Sequence, residues 1–258
     1  MLKLSKQILA VAVVAVLAGS THGADWGTLK GRIVFDGTPP KANKINVTKD
    51  VQFCGKFDLL TEDVTVNADN KGVSDVIIYL YDTKGVDIHP DYEKTAKDTV
   101  RLDNVNCRFE PHVCLLRTTQ TLVLGNKDEV AHNSKVDCLS NQAINPLIPA
   151  NSEQEVSFSK VEKRPVNVSC NIHPWMSATL VVQDHPYMAS TDKDGNFAIE
   201  NLPAGTWEFQ FRHAKYITDV KLNGKKEKWS RGRAKLKVAA GDNDLGDILV
   251  DPDAFGVK

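Results

Sequence analysis

Short runs of alternating apolar and polar residues, each broken off by turn chemistry, constrain this chain more than any other feature. They favour strands over helices almost throughout. Leu29-Lys30-Gly31-Arg32-Ile33-Val34-Phe35 alternates and then stops at Asp36-Gly37-Thr38-Pro39-Pro40. Asp75 to Tyr81 is β-branched and aromatic, which suits a buried strand. Further strands are predicted at Val113 to Leu116, Thr121 to Gly125, Glu155 to Ser159, Pro165 to Cys170 and Ala178 to Gln183. Only Tyr92 to Asp98 reads as a helical turn or two, inside a crossover loop. Strands so short, with turns between them, predict an all-β sandwich or barrel. A second unit is expected to start near Asp184-His185-Pro186-Tyr187. In it, a turn at Asp192 to Asn196 precedes a strand from Phe197, and Trp207-Glu208-Phe209-Gln210-Phe211 alternates cleanly. Ala234 to Val238 and Ile248 to Val250 would complete a small sandwich, with no low-complexity linker between the units.

The first 23 residues have a different character. Lys3 and Lys6 precede an apolar run from Ile8 to Leu17, followed by Ala18, Gly19 and Ser20. That is the layout of a secretory signal peptide, with cleavage expected after Gly23 and with Ser20 or Ala24 as alternatives. The run is shorter than the roughly 20 residues that span a bilayer. The mature protein is therefore expected to be soluble, without a membrane span, and periplasmic or secreted. Losing Lys3 and Lys6 takes the formal charge from −1 to −3. Such a balance argues against nucleic acid as a partner.

Export makes the five cysteines informative: Cys54, Cys107, Cys114, Cys138 and Cys170. In an oxidising compartment four of them could form two bridges in three connectivities, and one is left over. An idle exposed thiol would oxidise, so the remaining cysteine needs either a function or deep burial. Cys170 offers a function. It ends a β-like run, and His173 and Met176 follow at intervals of three. In a loop between strands, a thiolate, an imidazole and a thioether at that spacing turn towards one centre. The thioether suits copper far better than zinc, and two His, one Cys and a weak axial Met make a blue-copper site. His132, in the loop Asn126 to Asn133 directly after a strand, is the best donor of the second imidazole.

Ala131-His132-Asn133, the distant Cys170-Asn171-Ile172-His173, and Met176 before the run Ser177 to Val182 together resemble the cupredoxin family, the plastocyanin- and azurin-like blue copper proteins. The resemblance covers roughly residues 109–184. It implies a Greek-key β-sandwich in which His132, Cys170 and His173 are equatorial ligands and Met176 is axial. It also implies that Asn133 ties the two ligand loops together. By the same resemblance, His173 is the ligand nearest solvent and the electron exit, and Pro174 and Trp175 face a redox partner. One departure is the two-residue gap between His173 and Met176, where plastocyanin- and azurin-like loops have four or three. It makes Met176 the ligand most open to replacement. A binuclear copper-A loop would need a second cysteine, and positions 171–176 hold none. Similar exported cupredoxins with Cys-Gly near the N-terminus and Cys-Arg-Phe-Glu-Pro-His further on imply a Cys54–Cys107 bridge. With Cys114 and Cys138 bracketing the first-ligand loop as the second expected pair, Cys170 stays a thiolate.

Asp192-x-Asp194-Gly195-Asn196 does not place Gly and Glu where a calcium EF-hand needs them, so it reads as a turn. With Phe197-x-Ile199-x-Asn201-Leu202-Pro203-Ala204-Gly205 it resembles the carboxypeptidase regulatory-like domain, a small transthyretin-like β-sandwich whose name implies no peptidase. The expected organisation is thus a signal peptide over 1–23, an N-terminal β extension over 24–108, a cupredoxin-like core over 109–184 and the regulatory-like sandwich over 185–258. His112 reads as a structural or surface residue, and His89, His185 and His213 stand alone. No Gly-x-Ser-x-Gly, Walker loop or GxGxxG follows a strand, and the histidines are too few for a multicopper oxidase, so no enzyme is expected. The expected function is electron transfer by one type 1-like copper ion to a redox protein partner. A cytochrome, or a periplasmic dehydrogenase such as those linked to methylamine utilisation, fits the resemblance. The alternatives are a non-redox binding or scaffold module, and copper delivery or storage.

Overall fold

The computed structural model describes residues 25–257, so the expected signal peptide lies outside the described residues. Strands dominate and pair into two sandwiches. One is built on a four-stranded sheet ordered Glu153–Val156, Thr121–Asn126, Thr99–Val105, Arg108–Glu110. Its facing sheet runs Val113–Arg117, Ser177–Gln183, Val166–Ser169, Lys135–Val136. The inward positions Leu102, Leu116, Leu122, Leu124, Val168 and Leu180 are fully buried between them. Strand alternation explains why: every second side chain points to the same face.

The other sandwich has a five-stranded sheet ordered Asn196–Pro203, Trp26–Phe35, Gly241–Val250, Asp219–Leu222, Lys225–Lys228. Its second sheet runs Met188–Ser190, Ile77–Leu80, Gly205–Arg212, Arg233–Val238. Leu29, Ile33, Ile78, Phe197, Phe209, Phe211 and Ile248 fill the space between. The expected divisions 24–108, 109–184 and 185–258 therefore cut across sheets. Trp26–Phe35 lies between Asn196–Pro203 and Gly241–Val250, and Ile77–Leu80 pairs with both Met188–Ser190 and Gly205–Arg212. Thr99–Val105, in contrast, belongs with the first sandwich. The reason is edge satisfaction: each isolated strand of the N-terminal stretch finds its hydrogen-bond partners in a different sheet. A small apolar cluster of Ile77, Tyr79, Val113 and Val181 joins the outer faces of the two sandwiches.

Residues 36–62 leave the second sandwich and lie over the first. Ile45, Val47, Phe53, Phe57 and Leu59 pack on its core, and Ile45 donates its N–H to the Leu59 carbonyl. A short helix, Val51–Cys54, ends this segment's approach, and Cys54 is bridged there to Cys107. Cys107 sits in a two-residue hairpin turn with Asn106, both at positive φ, between strands whose partners are Val105 and Arg108.

The second expected bridge is not formed: Cys114 and Cys138 are free. Cys114 lies on one edge strand of its four-stranded sheet, and Cys138 follows the opposite edge strand Lys135–Val136. Three strand spacings separate those edges by about 14 Å, far beyond disulfide reach. The turn over Tyr92 to Asp98 is a 3-10 helix, Pro90–Thr95, capped by His89 Nδ1 accepting from the Asp91 N–H. Among the described residues no helix is long and apolar enough to cross a membrane.

Candidate metal centre

Strand ends bring the site together. Val166–Ser169 delivers Cys170, and Ser177–Gln183 leaves from Met176. The loop between them is closed on itself: the Cys170 N–H donates to the Met176 carbonyl (3.3 Å) and the Met176 N–H to the His173 carbonyl (2.9 Å). His132 arrives from the other loop, in a two-residue strand paired with Leu147–Ile148. His132, Cys170 and His173 are all buried, and one ligand atom of each lies within 4.8 Å of the others. Met176 is buried in the core of the same sandwich.

Asn133 joins the two loops. Its side-chain oxygen accepts the N–H groups of Asn171 (2.8 Å) and Ile172 (3.2 Å) and lies 3.4 Å from the Cys170 sulfur. Its amide nitrogen donates to the Asn145 side chain at 2.6 Å, which fixes which way it points.

The two imidazoles are held alike. His132 Nε2 lies 2.9 Å from an Asp128 carboxylate oxygen, and His173 Nε2 lies 2.8 Å from one of Asp50. A carboxylate only accepts, so each Nε2 carries the proton and each Nδ1 offers a lone pair. His173 Nδ1 lies 3.7 Å from the Cys170 sulfur, and the buried Nδ1 of His132 has no hydrogen-bond partner. Buried polar atoms without partners are rare and costly, and a lone pair aimed into a thiolate cluster is what a metal ligand requires.

The charges agree with that reading. Burial pushes the Cys170 thiol up, but the His132 and His173 rings facing its sulfur, and the backbone at Asn133 and His173, outweigh it. They bring its pKa down to about 6. The thiolate, the metal-binding form, is thereby favoured. Burial alone would lower His132, yet Asp128 and Cys170 raise it. Burial raises Asp128, but the His132 ring and the N–H groups of Cys107 and Asn106 hold it below the usual carboxylate range. A soft thiolate with two imidazoles fits copper.

Neither His173 nor His132 has any exposed surface, and the half-exposed carboxylate of Asp50 lies on the His173 ring. The exposed residues of the loop are Asn171 and Pro174. Trp175 is half-buried against the core, its ring centre 5.2 Å from that of His173, and its Nε1–H donates to the Cys107 carbonyl (3.2 Å). His112 pairs with Asp75 at 3.3 Å, away from the cluster. His185 is buried elsewhere, its Nδ1 accepting from the Tyr187 N–H. Cys107, Asp128 and His132 also converge, but the Cys107 sulfur is consumed in the disulfide.

Asp50 and Asp128 escaped sequence reasoning. Asp128 had a signal, an acid four residues before His132 in the same loop; Asp50 had none, standing 123 residues from His173.

No protein-family model matches this chain, and no curated protein matches it in sequence. Among solved structures, the copper-containing nitrite reductase of Thermus scotoductus SA-01 is similar over 33% of this chain and 22% of its own, at 22% identity and a TM-score of 0.29. The chain thus spans less than a quarter of that enzyme. A reduced Cu(I) form of an amicyanin mutant is similar over 33% of this chain and 82% of its own, at 18% identity and a TM-score of 0.30. A purple cupredoxin from Nitrosopumilus maritimus is similar over 34% of this chain and 100% of its own, at 20% identity and a TM-score of 0.28. Each is named for copper or for the cupredoxin fold.

Proposed function

We propose that this is an exported mononuclear copper protein that carries electrons between periplasmic redox partners and is not itself an enzyme. His132, Cys170 and His173 would hold one type 1-like copper ion, with Met176 as the axial group. When bound, copper supplies a one-electron couple between Cu(I) and Cu(II). The observation that carries this reading is the convergence of a thiolate-prone sulfur with two imidazole Nδ1 atoms whose Nε2 atoms are already engaged by carboxylates.

The chain's own residues serve such a role by keeping still. Asn133 fixes one ligand loop to the other, and the loop's internal hydrogen bonds set the spacing of Cys170 and His173. Burial excludes water from all three ligands. A carrier benefits from that rigidity because little has to move when the charge of the centre changes. A redox protein, a cytochrome or a periplasmic dehydrogenase, would dock over exposed Asn171 and Pro174, in a small interface of the kind typical for such encounters. The second sandwich is read as the carboxypeptidase regulatory-like unit, serving packing or docking.

The test is spectroscopic. Adding Cu(II) to the mature protein should produce an intense thiolate-to-copper band with reversible redox cycling, and Cys170→Ser should abolish the band. Retention of Cu(I) without cycling would replace the carrier reading with delivery. Absence of copper binding would leave a scaffold.

A further inference from the structure

Asp50 breaks a local rule. It occupies the N-cap position of helix Val51–Cys54, where an aspartate ordinarily accepts an N–H of the first turn, yet its side chain makes no capping bond. Its backbone is left-handed, with φ and ψ both at 44°, a conformation that costs free energy in a residue with a side chain. The carboxylate instead reaches His173 Nε2 at 2.8 Å. Four residues on, Cys54 anchors the segment to Cys107. Cys107 in turn donates its N–H to Asp128, the carboxylate that holds His132. One cross-link thus sits between the two acids that engage the two imidazoles.

We infer that Asp50 is a positioning residue: delivered by the disulfide-anchored segment 36–62, it fixes the His173 ring as the Nε2–H tautomer and sets the anionic surroundings of the metal centre. This rests on the copper reading for its second half only, since the tautomer is a property of the metal-free protein. The cap forgone by Asp50 is a local cost, and the carboxylate's contact with the fully covered His173 ring shows where the compensation lies. A partner carboxylate on the distal nitrogen raises a ligand imidazole's basicity and orients its ring. An anion beside the centre also favours the higher metal charge, so removing it should stabilise Cu(I) relative to Cu(II).

The experiment uses the full mature chain in two states. In the metal-free, 15N-labelled protein, ring nitrogen shifts should show His173 as Nε2–H in the wild type and as a tautomer mixture in Asp50→Ala. In the copper-loaded protein, Asp50→Asn should raise the Cu(I)-to-Cu(II) affinity ratio about tenfold, an upward shift of about 59 mV for a one-electron couple. Asp58→Asn, which removes an exposed carboxylate of the same segment, should change neither readout. The double variant Cys54→Ser/Cys107→Ser should reproduce the Asp50→Ala tautomer mixture. A wild-type His173 in the Nδ1–H form would overturn the inference, as would Asp50 variants that match the wild type in both readouts. If the protein holds no copper but the tautomers behave as stated, the copper reading falls and the positioning role stands.

Discussion

Asn133 contributes more than any other single side chain to holding the two ligand loops together. Replacing it with Ala strands the N–H groups of Asn171 and Ile172, both turned inward at the ligand loop. Leaving such donors unpaired costs about 1–3 kcal/mol, which urea unfolding of Asn133→Ala should register as a lower midpoint at unchanged slope. His185 makes a second prediction at this scale. Burial depresses it from 6.5 to about 4, outweighing the opposite pull of Asp184 and the Leu80 carbonyl. Between those values the unfolded chain binds the proton and the folded one does not. Stability is therefore complete above pH 6.5 and falls as pH drops towards 4, by about 3 kcal/mol at most. Unfolding free energies at pH 7 and pH 4.5 should diverge in the wild type and less so in His185→Gln. At this scale the meeting of His132, Cys170 and His173 was legible because Cys170 and His173 lie in one loop and His132-Asn133 in one motif. Asp50 was not, since only the folded chain brings a remote acid to His173. The burial of His173 was hidden for the same reason.

Strands and turns were the better-marked level. Leu29 to Phe35 and Asp75 to Tyr81 announced themselves through alternation and β-branching, and the structure extends the first to Trp26–Phe35 and trims the second to Ile77–Leu80. Asp192 to Asn196 is the expected turn, with Gly195 at φ 82° and the Gly195 N–H donating to the Asp192 carbonyl. The helix Val51–Cys54 was missed, as four residues hold no period to detect. Buried Glu162 was missed too, although it organises a whole loop: its carboxylate accepts the N–H groups of Leu139, Ser140 and Asn141 and the Asn141 amide. Burial would raise its pKa, but these donors hold it below the usual range. Glu162→Gln replaces an ionised acceptor by a neutral one with a single acceptor oxygen. It should cost about 1.5–3 kcal/mol, and hydrogen exchange at Ser140 and Asn141 should speed up.

The connectivity of the sandwiches was the least legible feature, because pairing between strands far apart in sequence leaves no local mark in either. Trp26–Phe35 looks the same in sequence whichever sheet it joins; only the vacancy between Asn196–Pro203 and Gly241–Val250 decides. The Cys54–Cys107 bridge lies within one core cluster, tying the overlying segment 36–62 to the first sandwich across a sequence separation of 53 residues. Its loss should destabilise the protein by about 4 kcal/mol on chain-entropy grounds. Thermal unfolding of the double serine variant, compared with the wild type, checks that figure. A further consequence follows from how Ile77–Leu80 and Met188–Ser190 pair side by side. The chain leaves its host sandwich and returns to it at neighbouring points, so the ligand-bearing sandwich is a graft that a short turn could replace. Yet the host keeps one segment for its guest. A transplanted copy would carry His132, Cys170, His173 and Asp128 to a new scaffold and leave behind residues 36–62, so it would lose Asp50, the disulfide partner of Cys107 and the side chains of Phe53 and Leu59 that cover its core.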